Sequence, residues 1–183
     1  MAFFDIPKDE DITPEARHWL DEQRRMRGVE SLWRGWIAYA RSPRILKARV
    51  TAEDNLYNQS SGQSASSWEA RNMAFMLVAH ARRCDGCFNG SRRHLTALGF
   101  DEPVLDGFCA NPGVLPLPDR ERLFVKYVLQ LATDPARLQP KDFREMHAQG
   151  LSQDNVQEMI GFAAFAVFNT IFTTATTTAL RDD

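Results

Sequence analysis

The chain carries no excess of basic charge. Its 22 Lys and Arg are set against 24 Asp and Glu, a formal net charge of -2. A nucleic-acid binder needs a basic excess or a basic face, so that class is set aside. The local arginine clusters (Arg24, Arg25, Arg27; Arg82, Arg83; Arg92, Arg93) read as solvated helix faces. Residues 1–11 show neither a basic region nor a long apolar run, so no secretory signal is read there. With 3 cysteines in all, the expected setting is a reducing cytoplasm, where disulfide frameworks are rare. The longest apolar run, 159–172, is interrupted by Asn169 and Thr170. It is short for a membrane span and suits a buried helix. No segment alternates apolar and polar residues over a strand length, so no sheet is expected. There is no internal repeat.

What remains is a chain able to build a core. Hydrophobic residues make up 44% and charged residues 25%, the balance of a globular domain. Helix punctuation recurs along it. Thr13-Pro14 is a cap followed by Pro at the first helical position, and Gly28 is a possible break. Ser42-Pro43 repeats the signal and opens a helix through Ile45, Leu46 and Val50 toward Leu56. The stretch from Asn58 to Ser67 is rich in Ser, Gln, Asn and Gly and reads as a loop. A helix is expected from Ser67 to about Arg82, another ending at Gly99, and a short one over 101–108. Further helices are expected from Pro118 to Asp134, from Pro140 to Gly150, and from a Ser152 cap to about Leu180. The expected fold is therefore all-α. Residues 1–65 form an arm and helices packing on a core of 66–183, the whole acting as a single structural unit. Between Met159 and Phe172 the last helix is apolar almost all round and needs cover on most sides, which favours an oligomer interface.

Cys84 and Cys87 carry the chemistry. Two cysteines at this spacing can close a small disulfide at a helix start, where the dipole and free N–H groups stabilise a thiolate. Cys87, Ser91 and His94 fall on one helix face, and Glu69, Asn72, Met76 and His80 on one stripe of the helix before. If the helices pack together, Cys87 meets groups that could move protons. A zinc site from His80, Cys84, Cys87 and His94 is disfavoured because no second CxxC exists. Covalent haem attachment needs His directly after the second cysteine, and Phe88 is there. No cofactor and no metal are expected. Cys109 reads as a buried small residue, and the Met73, Phe75, Met76 and Trp68 set as either core or the wall of an apolar pocket.

The run from Arg71 to Gly99, with its apolar helix, CxxC and following short helix, resembles the carboxymuconolactone decarboxylase superfamily. Within it, the alkylhydroperoxidase AhpD-like branch fits best. Pro118–Phe124, Gly150-Leu151-Ser152, and Gln157–Ile160 leading to Asn169 continue the likeness. The resemblance implies an all-helical fold, a homotrimer or hexamer, and a thiol peroxidase reduced by an external dithiol. It implies that Cys87 attacks the hydroperoxide and Cys84 resolves the sulfenic acid as a disulfide. The family also relays protons through a Glu and a His. Those positions are Asn72 and Ser91 in this chain. Glu69, His80 and His94 are the available substitutes. The competing expectations are a redox-inactive binding or scaffold protein and a non-thiol lactone decarboxylase. Neither nucleic acid nor membrane is an expected partner.

Overall fold

The computed structural model describes residues 3–58 and 66–181. Most of the loop expected over 58–67 lies outside them. Among the described residues there is no strand, and the fold is all-α. Nine α-helices follow in order: α1 (Pro14–Arg27), α2 (Arg34–Ala38), α3 (Pro43–Glu53), α4 (Trp68–Ala81), α5 (Asp85–Ala97), α6 (Glu102–Ala110), α7 (Asp119–Thr133), α8 (Pro140–Ala148) and α9 (Gln153–Ala179). The chain divides into two compact units. One is Met1–Asn58 with Phe172–Asp183, the other Gln59–Ile171. The last dozen residues thus group with the N-terminal helices, and not with the segment from 66 onward.

In the first unit, the Thr13 hydroxyl accepts from the Ala16 N–H at 3.2 Å, and Pro14 occupies the first turn. α1 ends at Gly28, whose φ of 62° is left-handed and suits glycine. Its buried face is Ala16, Leu20 and Gln23, and it packs on α3. Trp36, Tyr39, Ala40, Leu46 and Val50 complete this core, with Phe172 against it. The Tyr39 hydroxyl donates to the Phe172 carbonyl at 3.1 Å. Ser42 does not cap with its side chain; its carbonyl instead accepts from Ile45 and Leu46. Leu56, expected to continue α3, sits in a π-helical turn over Asp54–Asn58.

In the second unit α4 is the central element. Every residue from Ala70 to Ala79 is buried. It packs on α5 and α7. Ser67 caps it by accepting from the Ala70 N–H at 3.1 Å, and Ser67 also donates from its own N–H and hydroxyl to Glu121 of α7. Met73, Phe75 and Met76 are buried core, so of the two readings of that set the packing one holds for them. α9 begins with a reciprocal cap. The Asn155 N–H donates to the Ser152 hydroxyl, and the Ser152 N–H to the Asn155 side chain. Phe162 and Phe165 of α9 pack on Phe124 and Phe75, ring centroids 5.6 and 6.4 Å apart.

At 27 residues α9 is long and apolar enough to cross a membrane by length and composition. The apolar run 159–172 is its densest stretch, and the Thr-rich turns after Phe172 extend the helix. Phe162 and Phe165 seat one side of it on Phe124 and Phe75. Ile160 and Ile171 remain exposed, with Ala164 and Val167 on the same stripe.

α8 docks on α7 through a polar contact. The buried Tyr127 hydroxyl donates to Glu145 and, at 3.2 Å, to Asp142, while Lys126 reaches Glu145 at 3.0 Å. The Tyr127 hydrogen bond, followed by Lys126, holds Glu145 below its ordinary 4.5. A carboxylate depressed in the folded state contributes stability above its unfolded value, and the contribution is lost as pH falls through the folded value. Tyr127→Phe is therefore expected to show a smaller loss of melting temperature than the parent between about pH 5 and about pH 3, followed by circular dichroism.

Candidate redox site

The site begins where α4 ends. Ala79 and His80 offer the last carbonyls. The Cys84 N–H donates to Ala79 O at 2.9 Å and the Arg83 N–H to His80 O at 3.1 Å. This pair of bonds closes the helix in the manner of a Schellman motif, and the residue in the left-handed position is Arg83, φ 55°. α5 then starts at Asp85, with Cys84 as its N-cap residue and Cys87 in the first turn. The CxxC is thus at a helix N-terminus, as the sequence suggests. The Phe88 N–H donates to Cys84 O at 2.8 Å.

Cys84 and Cys87 are joined as a disulfide, their Cα atoms 5.3 Å apart. Both are nearly buried, 2% and 7% exposed, so a substrate must come to a recessed sulfur. The buried face of α5 is Cys87, Ser91 and Leu95. The structure therefore brings Ser91 to the face expected for it, against α4. Asn72 is fully buried, and its amide donates to Trp68 O at 2.9 Å. His94 is exposed and lies edge-on to Trp68, ring centroids 6.4 Å apart. Glu69 is half-buried on the first turn of α4. His80 is exposed at the other end of α4, its ring 5.6 Å from that of Phe88, the residue after Cys87. Hence the two histidines occupy opposite ends of the α4–α5 pair, and His80 is the one at the disulfide end.

Arg82 and Arg83 do not lie on a helix face, though Arg83 is exposed as their spacing suggests. They form the turn, and Arg82 is half-buried. Its guanidinium donates to the Thr170 hydroxyl of α9 at 2.9 Å and reaches Ala132 O of α7 at 3.5 Å. Arg92 ties α5 to α6 through Asp106 at 2.7 Å, with its guanidinium 5.8 Å from the Phe88 ring centroid. Arg71 is buried, its guanidinium 5.7 Å from the Trp68 ring centroid. Charge runs alone gave no sign of these roles. Cys109 is half-buried and not in a disulfide; burial pushes its thiol up, away from reactivity. Among the described residues no three His, Cys, Asp or Glu side chains gather as a metal site.

Reduced, this arrangement places the Cys87 sulfur in the first turn of α5, where unpaired N–H groups and the dipole favour a thiolate. Cys84 stands within bonding distance of it.

Comparison with protein families and with curated proteins finds no match. Comparison with solved structures does. The chain is similar to an alkylhydroperoxidase AhpD core, an uncharacterized peroxidase-related protein from Ralstonia eutropha JMP134, with TM-score 0.77 and 17% identity over 100% of this chain and 92% of that one. It is also similar to an uncharacterized peroxidase-related protein from Silicibacter sp. TM1040, with TM-score 0.76 and 18% identity over the same shares. The fold is AhpD-like. At this identity the likeness concerns the fold, and the chemistry rests on the site.

The left-handed Arg83 is an identifiable local cost, about 1 kcal/mol for a residue with a Cβ. Arg83→Gly is expected to raise the unfolding free energy by about 0.5–1 kcal/mol, measured by urea denaturation of the oxidised protein.

Proposed function

We propose that this protein is a dithiol–disulfide oxidoreductase that reduces hydroperoxides. The supporting observation is the Cys84–Cys87 disulfide at the N-terminus of α5, in an AhpD-like fold. The Cys87 thiolate attacks the terminal peroxide oxygen. The O–O bond breaks, its electron pair leaves with the alkoxide, and a proton makes the alcohol. Cys87 becomes a sulfenic acid. The Cys84 thiolate then attacks the Cys87 sulfur, and the hydroxide expelled takes a proton to leave as water. An external dithiol reduces the disulfide and completes the cycle. Neither Asn72 nor Ser91 can supply those protons near neutral pH. Among the substitutes, His80 is favoured by its place at the disulfide end of α4. His94 lies seven residues beyond Cys87, about 10 Å along the helix axis. The uncovered stripe of Ile160, Ala164, Val167 and Ile171 supports a further reading, that the working form is a homo-oligomer with this face covered, in a cytoplasm that keeps the dithiol reduced.

A second reading follows from one observation. The buried face that carries Cys87 offers Ser91 and Leu95 and no acid or base. A protein that kept the fold and lost the peroxidase would look like this, and a missing proton donor costs about 10²–10⁴-fold.

Stopped-flow oxidation of the reduced protein by cumene hydroperoxide separates the two. A peroxidase oxidises faster than a free thiol at the same pH, loses the phase in Cys87→Ser, and slows at least about tenfold in His80→Ala while His94→Ala changes little. Oxidation at the free-thiol rate, unchanged in Cys87→Ser, would leave the scaffold reading.

A further inference from the structure

A cavity of about 440 Å³ opens on the second unit, between α7, α8 and the turn at Pro112. It shares no residue with the disulfide site. One wall is a stripe of α7: Asp119, Arg122, Lys126 and Leu129, spaced three and four apart and so on one helix face. Leu123, Leu129 and Pro112 supply apolar surface, and Glu145 of α8 supplies a carboxylate. The volume lies in the range of small-molecule sites, which pair apolar walls with a few placed polar groups.

Arg122 is fixed by the main chain, donating to Leu117 O at 2.6 Å. Its carboxylate partner, Asp119, is 79% exposed and paired only across one turn, a contact of small worth in water. Arg122 can therefore exchange Asp119 for another anion without losing its position. Lys126 lies one turn on and pairs with Glu145 at 3.0 Å. Glu145 is already engaged by the Tyr127 hydroxyl, and the Lys126 ammonium reaches both Glu145 oxygens and the Tyr127 hydroxyl, so toward an incoming anion it supplies positive charge. Glu145 is the like charge an incoming anion would meet, and Lys126 stands against it.

We propose that this cavity binds small amphiphilic carboxylates, with the head on Arg122 and Lys126 and the hydrocarbon on Leu123 and Leu129. An Arg fork accepts a carboxylate in two parallel bonds. The apolar wall gains from covering a chain that water would otherwise surround. The neutral alcohol of the same length makes the second contact and not the first.

Isothermal titration of the full chain with sodium octanoate, beside 1-octanol, tests this. Saturable octanoate binding is expected, weaker at high salt, with octanol at least about tenfold weaker. Arg122→Gln is expected to weaken octanoate about tenfold. Asp119→Asn removes the competing carboxylate and is expected to strengthen it by about two- to threefold. Thermal melts establish that each variant is folded; should Arg122→Gln unfold, Asp119→Asn and the octanol comparison decide. No saturable binding at millimolar octanoate, equal binding of octanol, or octanoate affinity unmoved or lowered by Asp119→Asn would overturn the proposal.

Discussion

The close of α4 onto Ala79 O and His80 O governs the second unit. α4 is buried from Ala70 to Ala79, and where that burial ends its last carbonyls take their partners from the turn that follows. The Cys84 and Arg83 N–H groups satisfy two of them and reverse the chain at once. α5 must then start at Asp85 and run back along α4. That geometry puts Cys84 at a helix N-cap, puts Cys87 in the first turn, and turns the Cys87–Ser91–Leu95 face onto α4. Arg82, drawn to Thr170, holds the same turn against α9. The disulfide's position is thus a consequence of how a buried helix is ended.

The same turn explains how the site differs from a solvent-facing dithiol. A buried α4 draws the first turn of α5 inward, and both sulfurs are nearly covered. The buried face of α5 that carries Cys87 holds Ser91 and Leu95, neither of them an acid or a base near neutral pH. His80, at the end of α4 where burial stops, differs in kind from Asn72, which is sealed within the helix and bonded to Trp68 O. Across α7 the polar work is of another sort. Tyr127, Glu145 and Lys126 dock α8, and the outward cations of the same helix stand over an apolar wall.

Much of the helix framework was legible in local chemistry. Thr13-Pro14, Ser67, Gly28, Gly99, Gly150 and Ser152 act through their own side chains or their own φ, and each ends or starts a helix where its residue type indicates. Ser42-Pro43 also starts a helix where its residues indicate, with Ser42 at the N-cap position, but the Ser42 hydroxyl makes no cap bond. Leu56 did not continue α3, because the chain there widens into a π-helical turn. Neither departure is visible in spacing. The arginines were the larger miss. A residue such as Arg82 looks the same on a wet helix face and in a turn that packs on another helix, and what separates them is the Thr170 hydroxyl, 88 residues away.

The sequence by itself determined the all-helical fold, the helix termini and the placing of a CxxC at a helix start, because caps, glycines and apolar spacing act within a few residues. Only the tertiary structure decided which side chains share the recessed face with Cys87, that the two histidines lie at opposite ends of the α4–α5 pair, and that Arg122 is fixed by Leu117 beside an apolar wall. It also grouped the last turns of α9 with the N-terminal helices. These depend on which helix faces meet, and burial, not local propensity, sets that.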